Sequence, residues 1–115
     1  MRYALMIHVD PAGWAGLSEQ EGQAVSQEYL DLRRDPRVLD GAELAPVETV
    51  STVRVHAGDA LVTDGPFADT KEVLGGYYIL DADDLDAAIE FAGRIPAARM
   101  GGAIEVWPLV ERDDM

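Results

Sequence analysis

The sequence predicts an α+β fold in which the strands of one sheet alternate with two helices along the chain. Three observations predict it. Residues Arg2 to Val9 alternate between two apolar faces, which is typical of a central strand covered on both sides. A capping box of Ser18 and Glu21 marks the start of a helix. β-Branched residues dominate from Thr49 to Val55, which indicates a second extended region.

Both expected helices are amphipathic. The first ends near Arg34, and its apolar stripe consists of Val25, Tyr29 and Leu32. The second is capped by Asp83 or Asp84 and stops near Pro96. Its apolar positions follow the spacing i, i+3, i+4 and i+7 at Leu85, Ala88, Ile89 and Ala92. Each stripe gives its helix one face with which to pack on a sheet.

The strands complete the expected topology. The first is expected to end at a break formed by Pro11 to Gly13. The others are expected at Val38 to Ala45, Thr49 to Val55, Leu61 to Thr63, Gly76 to Ala82 and Ala103 to Val110. The second and third of these form a hairpin, whose turn places Gly58 where a positive φ is needed. The order β-α-β, hairpin, β-α-β is the split βαβ arrangement of the ferredoxin-like fold.

One face of such a sheet is left without a helix. Two helices can cover one face, while Trp107 and Leu109 lie on the other face of the last strand. A monomer would expose this face as a large apolar surface. We therefore expect a second copy to cover it, and the chain to form a homodimer.

Composition excludes several classes of function. The 115 residues fit one domain, 1–115, and 22 acidic against 9 basic residues give a net charge of −13. Nucleic-acid and membrane binding are not expected, because such a surface repels phosphate groups. Without cysteine and with two histidines, the chain is expected to hold no metal. The amino-terminal apolar run is too short for a signal peptide and no segment is long enough to span a membrane, so a cytoplasmic location is expected.

One motif is specific. The stretch Asp64-Gly-Pro-Phe-Ala-Asp-Thr-Lys-Glu72, followed by Val73-Leu-Gly-Gly-Tyr-Tyr78, resembles the signature of the DGPF branch of the YCII-related family. The resemblance extends over nearly the whole chain and implies the dimeric α+β barrel version of the ferredoxin-like fold. Asp69 stands where the family pattern usually has Glu, which shortens the side chain and keeps its charge.

The resemblance also limits what can be carried over. The YCII branch resembles a histidine-aspartate enzyme site with its histidine on the first helix, and no histidine lies between Ser18 and Arg34 here. That pair is therefore not expected in this chain, nor is a cofactor. Family members are often encoded beside extracytoplasmic-function sigma factors, so the resemblance implies a regulatory or stress setting.

The signature has two interpretations. In the structural one, Gly65 and Pro66 shape a turn, Phe67 fills the core, and Asp69 with Glu72 caps a helical turn. In the functional one, Asp64 and Lys71 line the mouth of a pocket, and Gly75-Gly76 lets the backbone approach a ligand. The candidate pocket residues are Asp64, Gly65, Pro66, Phe67, Lys71, Glu72, Tyr77, Tyr78 and Trp107.

His8 is either a hydrogen-bonded structural residue or a general base. The first strand of a ferredoxin-like sheet lies between the third and the fourth, so His8 is expected to face Glu105, Trp107 and Tyr77 or Tyr78. An imidazole beside a carboxylate can serve as a general base near neutral pH. His56, in a hairpin turn, is more simply a solvated residue.

Three functions remain open. The first is a binding or accessory protein, a dimer whose inter-sheet cavity holds a small apolar or aromatic molecule. The second is a small cofactor-free enzyme, because relatives sharing the dimeric α+β barrel include monooxygenases, isomerases and lyases. Its candidate acid-base residues are His8, Asp64 and Glu105. The third is a purely structural module.

Overall fold

A computed structural model describes residues 1–67 and 70–112 and shows a mixed α+β architecture. Four antiparallel strands form one sheet in the order β2-β5-β1-β6, and two more form a separate hairpin sheet. The strands are β1 Arg2–Val9, β2 Val38–Glu43, β3 Ser51–His56, β4 Asp59–Asp64, β5 Val73–Asp81 and β6 Ala103–Pro108. The helices are α1 Pro11–Ala15, α2 Glu19–Arg33 and α3 Leu85–Gly93, with short 3-10 turns at Val47–Thr49 and Pro96–Arg99.

The expected helix starts are confirmed. Ser18 Oγ accepts a hydrogen bond from Glu21 N, and Ser18 N donates one to Glu21 Oε1, each at 3.1 Å. This reciprocal capping box satisfies two backbone donors that α2 would otherwise leave unpaired. Asp84 caps α3, because its carboxylate accepts from Ala87 N at 2.8 Å. Both helices therefore begin where the sequence places them.

The core lies between one sheet face and the helices. Alternate residues of β1 and β5 point toward α2 and α3, namely Tyr3, Leu5, Ile7, Tyr78 and Leu80. The predicted stripe of α2 is confirmed at Val25 and Leu32, which are buried. β1 lies between β5 and β6, so its position as a central strand is also confirmed. The sheet thus presents one face to the helices and one away from them.

The predicted face of α3 needs a correction. Ala88 and Ala92 are buried as expected, but Leu85 and Ile89 are about half exposed, at 47% and 51%. Phe91 is the large buried side chain of this helix, at 0% exposure, and it meets the Tyr78 ring edge-on at 6.3 Å. A stripe through positions 88, 91, 92 and 95 has the same helical spacing, which is why periodicity alone chose the wrong rotation.

Several boundaries also differ from expectation, among them the start of β5 at Val73, three residues before the predicted Gly76. The segment expected to be a break forms α1, because Asp10 accepts a hydrogen bond from Ala12 N at 3.0 Å and Pro11 occupies the first helical turn. β2 ends at Glu43, two residues before the predicted Ala45. No helix in the described part of the chain is both long and apolar enough to cross a bilayer.

The hairpin turn is confirmed. Ala57 and Gly58 both have positive φ, at 51° and 86°. Two successive positive values are typical of a type I′ turn, whose twist matches that of the strands it joins. The hairpin follows β2 and leads into β5, but within residues 1–67 and 70–112 its strands pair only with each other. It therefore leaves the four-stranded sheet as a separate two-stranded unit.

Candidate functional site

His8 and Glu105 form a polar pair on the sheet face that points away from the helices. The register places Glu105 opposite Met6, so Glu105 and His8 lie diagonally on the same face of neighbouring strands. His8 Nε2 lies 2.6 Å from Glu105 Oε1. The neighbourhood expected for His8 and Glu105 is thus confirmed. We name this side of the sheet the open face. Besides His8 and Glu105 it carries the apolar side chains of Ala4, Met6, Tyr77, Ile79 and Trp107.

The electrostatics of this pair favour an ionised carboxylate. The pKa of Glu105 lies below its ordinary value, first because of the hydrogen bond with His8 and then because of the indole N–H of Trp107. A neutral imidazole that donates Nε2–H to Glu105 keeps Nδ1 as a proton acceptor. With side-chain exposures of 29% for His8 and 52% for Glu105, both groups remain reachable from solvent. The pair has the geometry for proton transfer at the open face.

A cavity of about 470 Å³ lies at the other side of the sheet, between α2 and the strands β2 and β5. Its walls come from α1, α2, β1, β2 and β5, and most of them are apolar. α1 and α2 contribute Trp14, Ser26, Tyr29, Leu30 and Arg33. The sheet and the loop after β2 contribute, among others, Ile7, Val9, Leu44, Pro46, Gly75, Gly76, Tyr77 and Tyr78.

Two tyrosines hold the wall of this cavity in place. The Tyr78 hydroxyl donates to the Tyr29 carbonyl oxygen at 3.0 Å, and Ala97 N donates to the Tyr29 hydroxyl at 3.2 Å. Burial raises the pKa of both tyrosines, so both stay protonated at neutral pH. These bonds tie α2 to the sheet and to the 3-10 turn at Pro96–Arg99. The cavity is therefore built on rigid elements.

The paired glycines of β5 are required by close contacts between strands. A Cβ on Gly75 would lie 2.7 Å from Val9 Cγ2, and one on Gly76 would lie 2.7 Å from the Ala42 carbonyl oxygen. Both glycines also line the cavity. The approach of a ligand to this backbone stays a prediction, because the close contacts of Gly75 and Gly76 are with neighbouring strands.

Comparison with known proteins identifies the family. The YCII-related domain model matches residues 1–112. This chain is a YCII-related protein. It is 34% identical over 114 residues to an uncharacterised protein of Rhizobium meliloti (strain 1021), covering 95% of this chain and 92% of that protein.

A solved structure supports the fold of the YCII-related chain. It is a 5-chloro-2-hydroxyhydroquinone dehydrochlorinase from Burkholderia phenoliruptrix AC1100, in complex with 2,5-dihydroxybenzoquinone. The similarity has a TM-score of 0.54 and covers 99% of this chain and 98% of that one. At 15% sequence identity, the likeness concerns the architecture alone.

Asp64 and Gly65, the first signature residues of this YCII-related chain, lie at the base of the hairpin. Asp64 is the last residue of β4 and is exposed. Gly65 has a φ of 98°, its N–H donates to the Val50 carbonyl oxygen at 2.7 Å, and its carbonyl oxygen accepts from Thr52 Oγ1 at 2.7 Å. The expected turn-forming role of Gly65 is confirmed. The candidate pocket residue Pro66 follows it and is exposed.

Phe67 is a correction to the structural interpretation. It does not fill the core, because 77% of it is exposed. The Arg54 guanidinium lies 4.9 Å from its ring centroid, which holds it against the hairpin. The hairpin stands apart from the four-stranded sheet and offers no buried space at this point. A helical turn capped by Asp69 was also expected, but Asp69 lies outside the described residues.

Lys71 and Glu72 lie beyond the hairpin, near the end of β1. Lys71 Nζ is 3.6 Å from Asp10 Oδ2, the carboxylate that caps α1. The Glu72 carbonyl oxygen accepts a hydrogen bond from Thr70 Oγ1. Neither these residues nor the described residues from Asp64 to Phe67 line the cavity. Among the sequence candidates, Tyr77 and Tyr78 line it. His8, Glu105 and Trp107 lie on the open face, to which Tyr77 also belongs.

Sequence reasoning did not select the α2 residues of the cavity. Ser26, Leu30 and Arg33 follow one another at steps of four and three residues, which places them on one side of α2. This spacing places them next to the predicted apolar stripe of Val25, Tyr29 and Leu32. It was the signal in the sequence that a second, partly polar face of α2 could line a site. Among the described residues, no group of three His, Asp or Glu side chains lies close enough to bind a metal ion.

Proposed function

We propose that this YCII-related chain is a ligand-binding or accessory protein that binds a small apolar or aromatic molecule between α2 and the sheet. The observation that carries the proposal is the cavity of about 470 Å³. Its size lies within the range of about 300–1,000 Å³ that is usual for small-molecule sites. The regulatory or stress setting implied by the family resemblance fits such a protein, because a small ligand can then be sensed.

The walls favour a planar molecule with a polar edge. Trp14 and Tyr29 offer aromatic surfaces, and Leu30 adds an aliphatic one. Arg33 and Ser26 provide donors from the same helix. The dehydrochlorinase with a similar fold was solved with 2,5-dihydroxybenzoquinone, a compound of this size and shape. Hydroquinones, quinones and aromatic acids are therefore the first probes to test.

The test is a thermal-shift screen of the purified protein with these probes. A ligand at 100 times its dissociation constant stabilises the folded state by about 2.7 kcal/mol, which raises Tm by several degrees in a domain of this size. Ser26→Phe should fill the cavity and abolish the shift. Ala24→Phe is the matched control, because residue 24 points about 200° around the helix from residue 26. Equal shifts in the two variants would contradict binding in this cavity.

A second candidate function is cofactor-free acid-base catalysis, of the monooxygenase, isomerase or lyase type, at the open face. The observation that favours it is the 2.6 Å contact between His8 Nε2 and Glu105 Oε1. His8 acts as the base and Glu105 orients it, while Trp107 forms a wall. This site is separate from the cavity, since neither His8 nor Glu105 lines the latter.

Product analysis separates the two functions. Each probe that binds is incubated with the wild type and with His8→Gln, and turnover is followed by mass spectrometry across pH. An enzyme using this pair gives a bell-shaped rate profile that His8→Gln removes while binding persists. Binding without turnover, unchanged in His8→Gln, favours the binding protein.

The branch of the family and the assembly of the chain belong to the same proposal. The Asp64 to Glu72 stretch supports membership of the DGPF branch within the YCII-related family. The strand order β2-β5-β1-β6, with helices on one face, supports a ferredoxin-like fold that pairs through its open face into a homodimeric α+β barrel. Pairing would give the open face the cover that the described residues of the single chain do not supply.

A further inference from the structure

We infer that the β3–β4 hairpin is an arm that packs on the open face of a second copy of this chain. The inference rests on the homodimer proposed above and adds the element that crosses between the copies. Its consequence is functional, because the arm would cover the His8–Glu105 pair. The site at the open face would then be complete only in the dimer.

The hairpin has one apolar face. Val53 pairs with Val62, and Val55 pairs with Ala60. Directly paired residues of an antiparallel ladder point to the same side, so these four side chains form one continuous surface. Arg54, paired with Leu61, lies on the opposite side. We call the side with Val53, Val55, Ala60 and Val62 the apolar face of the arm.

Nothing in the described part of the chain covers this surface. Val55 is 72% exposed, and Val53 and Val62 are each at least 60% exposed. An isolated two-stranded hairpin is at best marginally stable in water, and β-branched residues favour strands when their side chains pack. A hairpin with three exposed valines on one face therefore needs a partner surface.

The shape and area of the chain indicate a large contact. The chain has a radius of gyration of 16.2 Å, whereas a compact domain of this length has about 13 Å. Its accessible surface of 7964 Å² exceeds by about 1,800 Å² the area usual for a folded monomer of its mass. A stable interface buries about 800 Å² or more per partner, so the excess is sufficient for a dimer.

The chemistry of the surfaces selects a second copy as the occupant. The net charge of −13 makes two copies repel each other, so contact is expected where charges are few. The apolar face of the arm carries no charge before Asp64 at its base. On the open face the carboxylate of Glu105 is paired with His8, and beside this pair lie the apolar side chains of Met6, Tyr77, Ile79 and Trp107, of which Trp107 is 56% exposed. Exchange of arms by a twofold axis covers both surfaces at once.

The experiment compares two neighbouring lysine substitutions. Val62→Lys places a charge on the apolar face, and Leu61→Lys places the same charge on the opposite side of the same strand. Both positions are exposed in the single chain, at 63% and 49%, so neither change should unfold it. Sedimentation is expected to show a dimer for the wild type and Leu61→Lys, and at least a tenfold weaker dimer for Val62→Lys.

Trp107 reports on the covered face directly. The chain has two tryptophans, so Trp14→Phe leaves Trp107 as the sole indole. Its emission should be blue-shifted in the dimer and red-shifted when Val62→Lys is added, whereas Leu61→Lys should leave the blue shift unchanged. Circular dichroism on each variant verifies that the sheet is retained.

The other outcomes overturn the inference in distinguishable ways. A wild type that stays monomeric up to its solubility limit would refute both the homodimer and the arm. A Val62→Lys protein that remains a dimer with Trp107 shielded would refute the arm and leave the homodimer standing. Loss of the dimer in both lysine variants alike would refute the assignment of the apolar face. None of these results bears on ligand binding in the cavity, which the thermal-shift screen tests separately.

Discussion

The four-stranded sheet and the hairpin are built from similar strands and differ in what covers them. Tyr3 and Leu5 of β1 are at most 1% exposed, whereas Val53 and Val55 of β3 are at least 60% exposed. Both pairs stand two residues apart and point to one side of their strand. The alternation of apolar and polar residues therefore predicts a strand and its apolar face. Whether another part of the protein covers that face depends on tertiary structure.

The two phenylalanines of the chain show the same contrast. The Arg37 guanidinium lies 5.3 Å and the Arg94 guanidinium 5.5 Å from the Phe91 ring centroid, and Phe91 is fully buried. Arg54 lies 4.9 Å from the Phe67 ring, and Phe67 is 77% exposed. The cation–π geometry is alike, so the difference in energy comes from burial.

The largest expected effect follows from this pair. Phe91→Ala should lower the free energy of unfolding by about 3–5 kcal/mol, because it removes a buried ring and leaves a cavity. Phe67→Ala, the matched control, should change it by less than about 0.5 kcal/mol. Urea unfolding followed by circular dichroism at low protein concentration measures both. Similar losses in the two variants would mean that Phe67 is buried in solution.

The sequence predicted the starts of the helices and the hairpin turn better than it predicted which face of α3 is buried. Ser18 and Glu21 carry their capping signal locally, and the turn at Gly58 depends on its own backbone, so both were predictable. The rotation of α3 was not, because Leu85 and Ile89 satisfy the helical period as well as Phe91 does. Which stripe is buried depends on the sheet that the helix meets.

Glycines give the next comparison, with a smaller effect. Gly76→Ala should lower the free energy of unfolding by about 1–3 kcal/mol, because the new Cβ would meet the Ala42 backbone and separate β2 from β5. Gly58→Ala introduces a side chain at a φ of 86° and costs about 1 kcal/mol.

The two glycine substitutions should also destabilise different parts of the structure. Hydrogen exchange is expected to show faster exchange throughout the four-stranded sheet in Gly76→Ala, and only within β3 and β4 in Gly58→Ala. If Gly58→Ala also accelerated exchange in β1, the hairpin would have to be part of the cooperative core.

The candidate site was predictable only in part. The approach of His8 to Glu105 followed from strand order, because β1 must neighbour β6 in the expected sheet. The cavity was missed, since Arg33 and Trp14 come together only when α1 and α2 pack beside the sheet. α1 itself arises from the carboxylate of Asp10, whose capping role was hidden by the proline and glycine that follow.

The smallest expected effect on stability comes from removing a carboxylate charge, and it again differs between the residues next to the core and the hairpin. Asp35, next to the core, accepts hydrogen bonds from the Arg37 guanidinium and from the Arg37 backbone at 2.9–3.1 Å, and these lower its pKa to about 2. Since an unfolded aspartate has a pKa of about 3.9, this stabilisation is present above about pH 4 and is lost as the pH falls toward 2.

Asp35→Asn should lower the free energy of unfolding by about 1 kcal/mol at pH 7, a value reduced by screening because Arg37 is 36% exposed. Asp64→Asn, at the exposed base of the hairpin, should change the free energy of unfolding at pH 7 by less than about 0.5 kcal/mol in urea unfolding. If Asp64→Asn cost as much as Asp35→Asn at pH 7, the base of the hairpin would have to contribute to global folding.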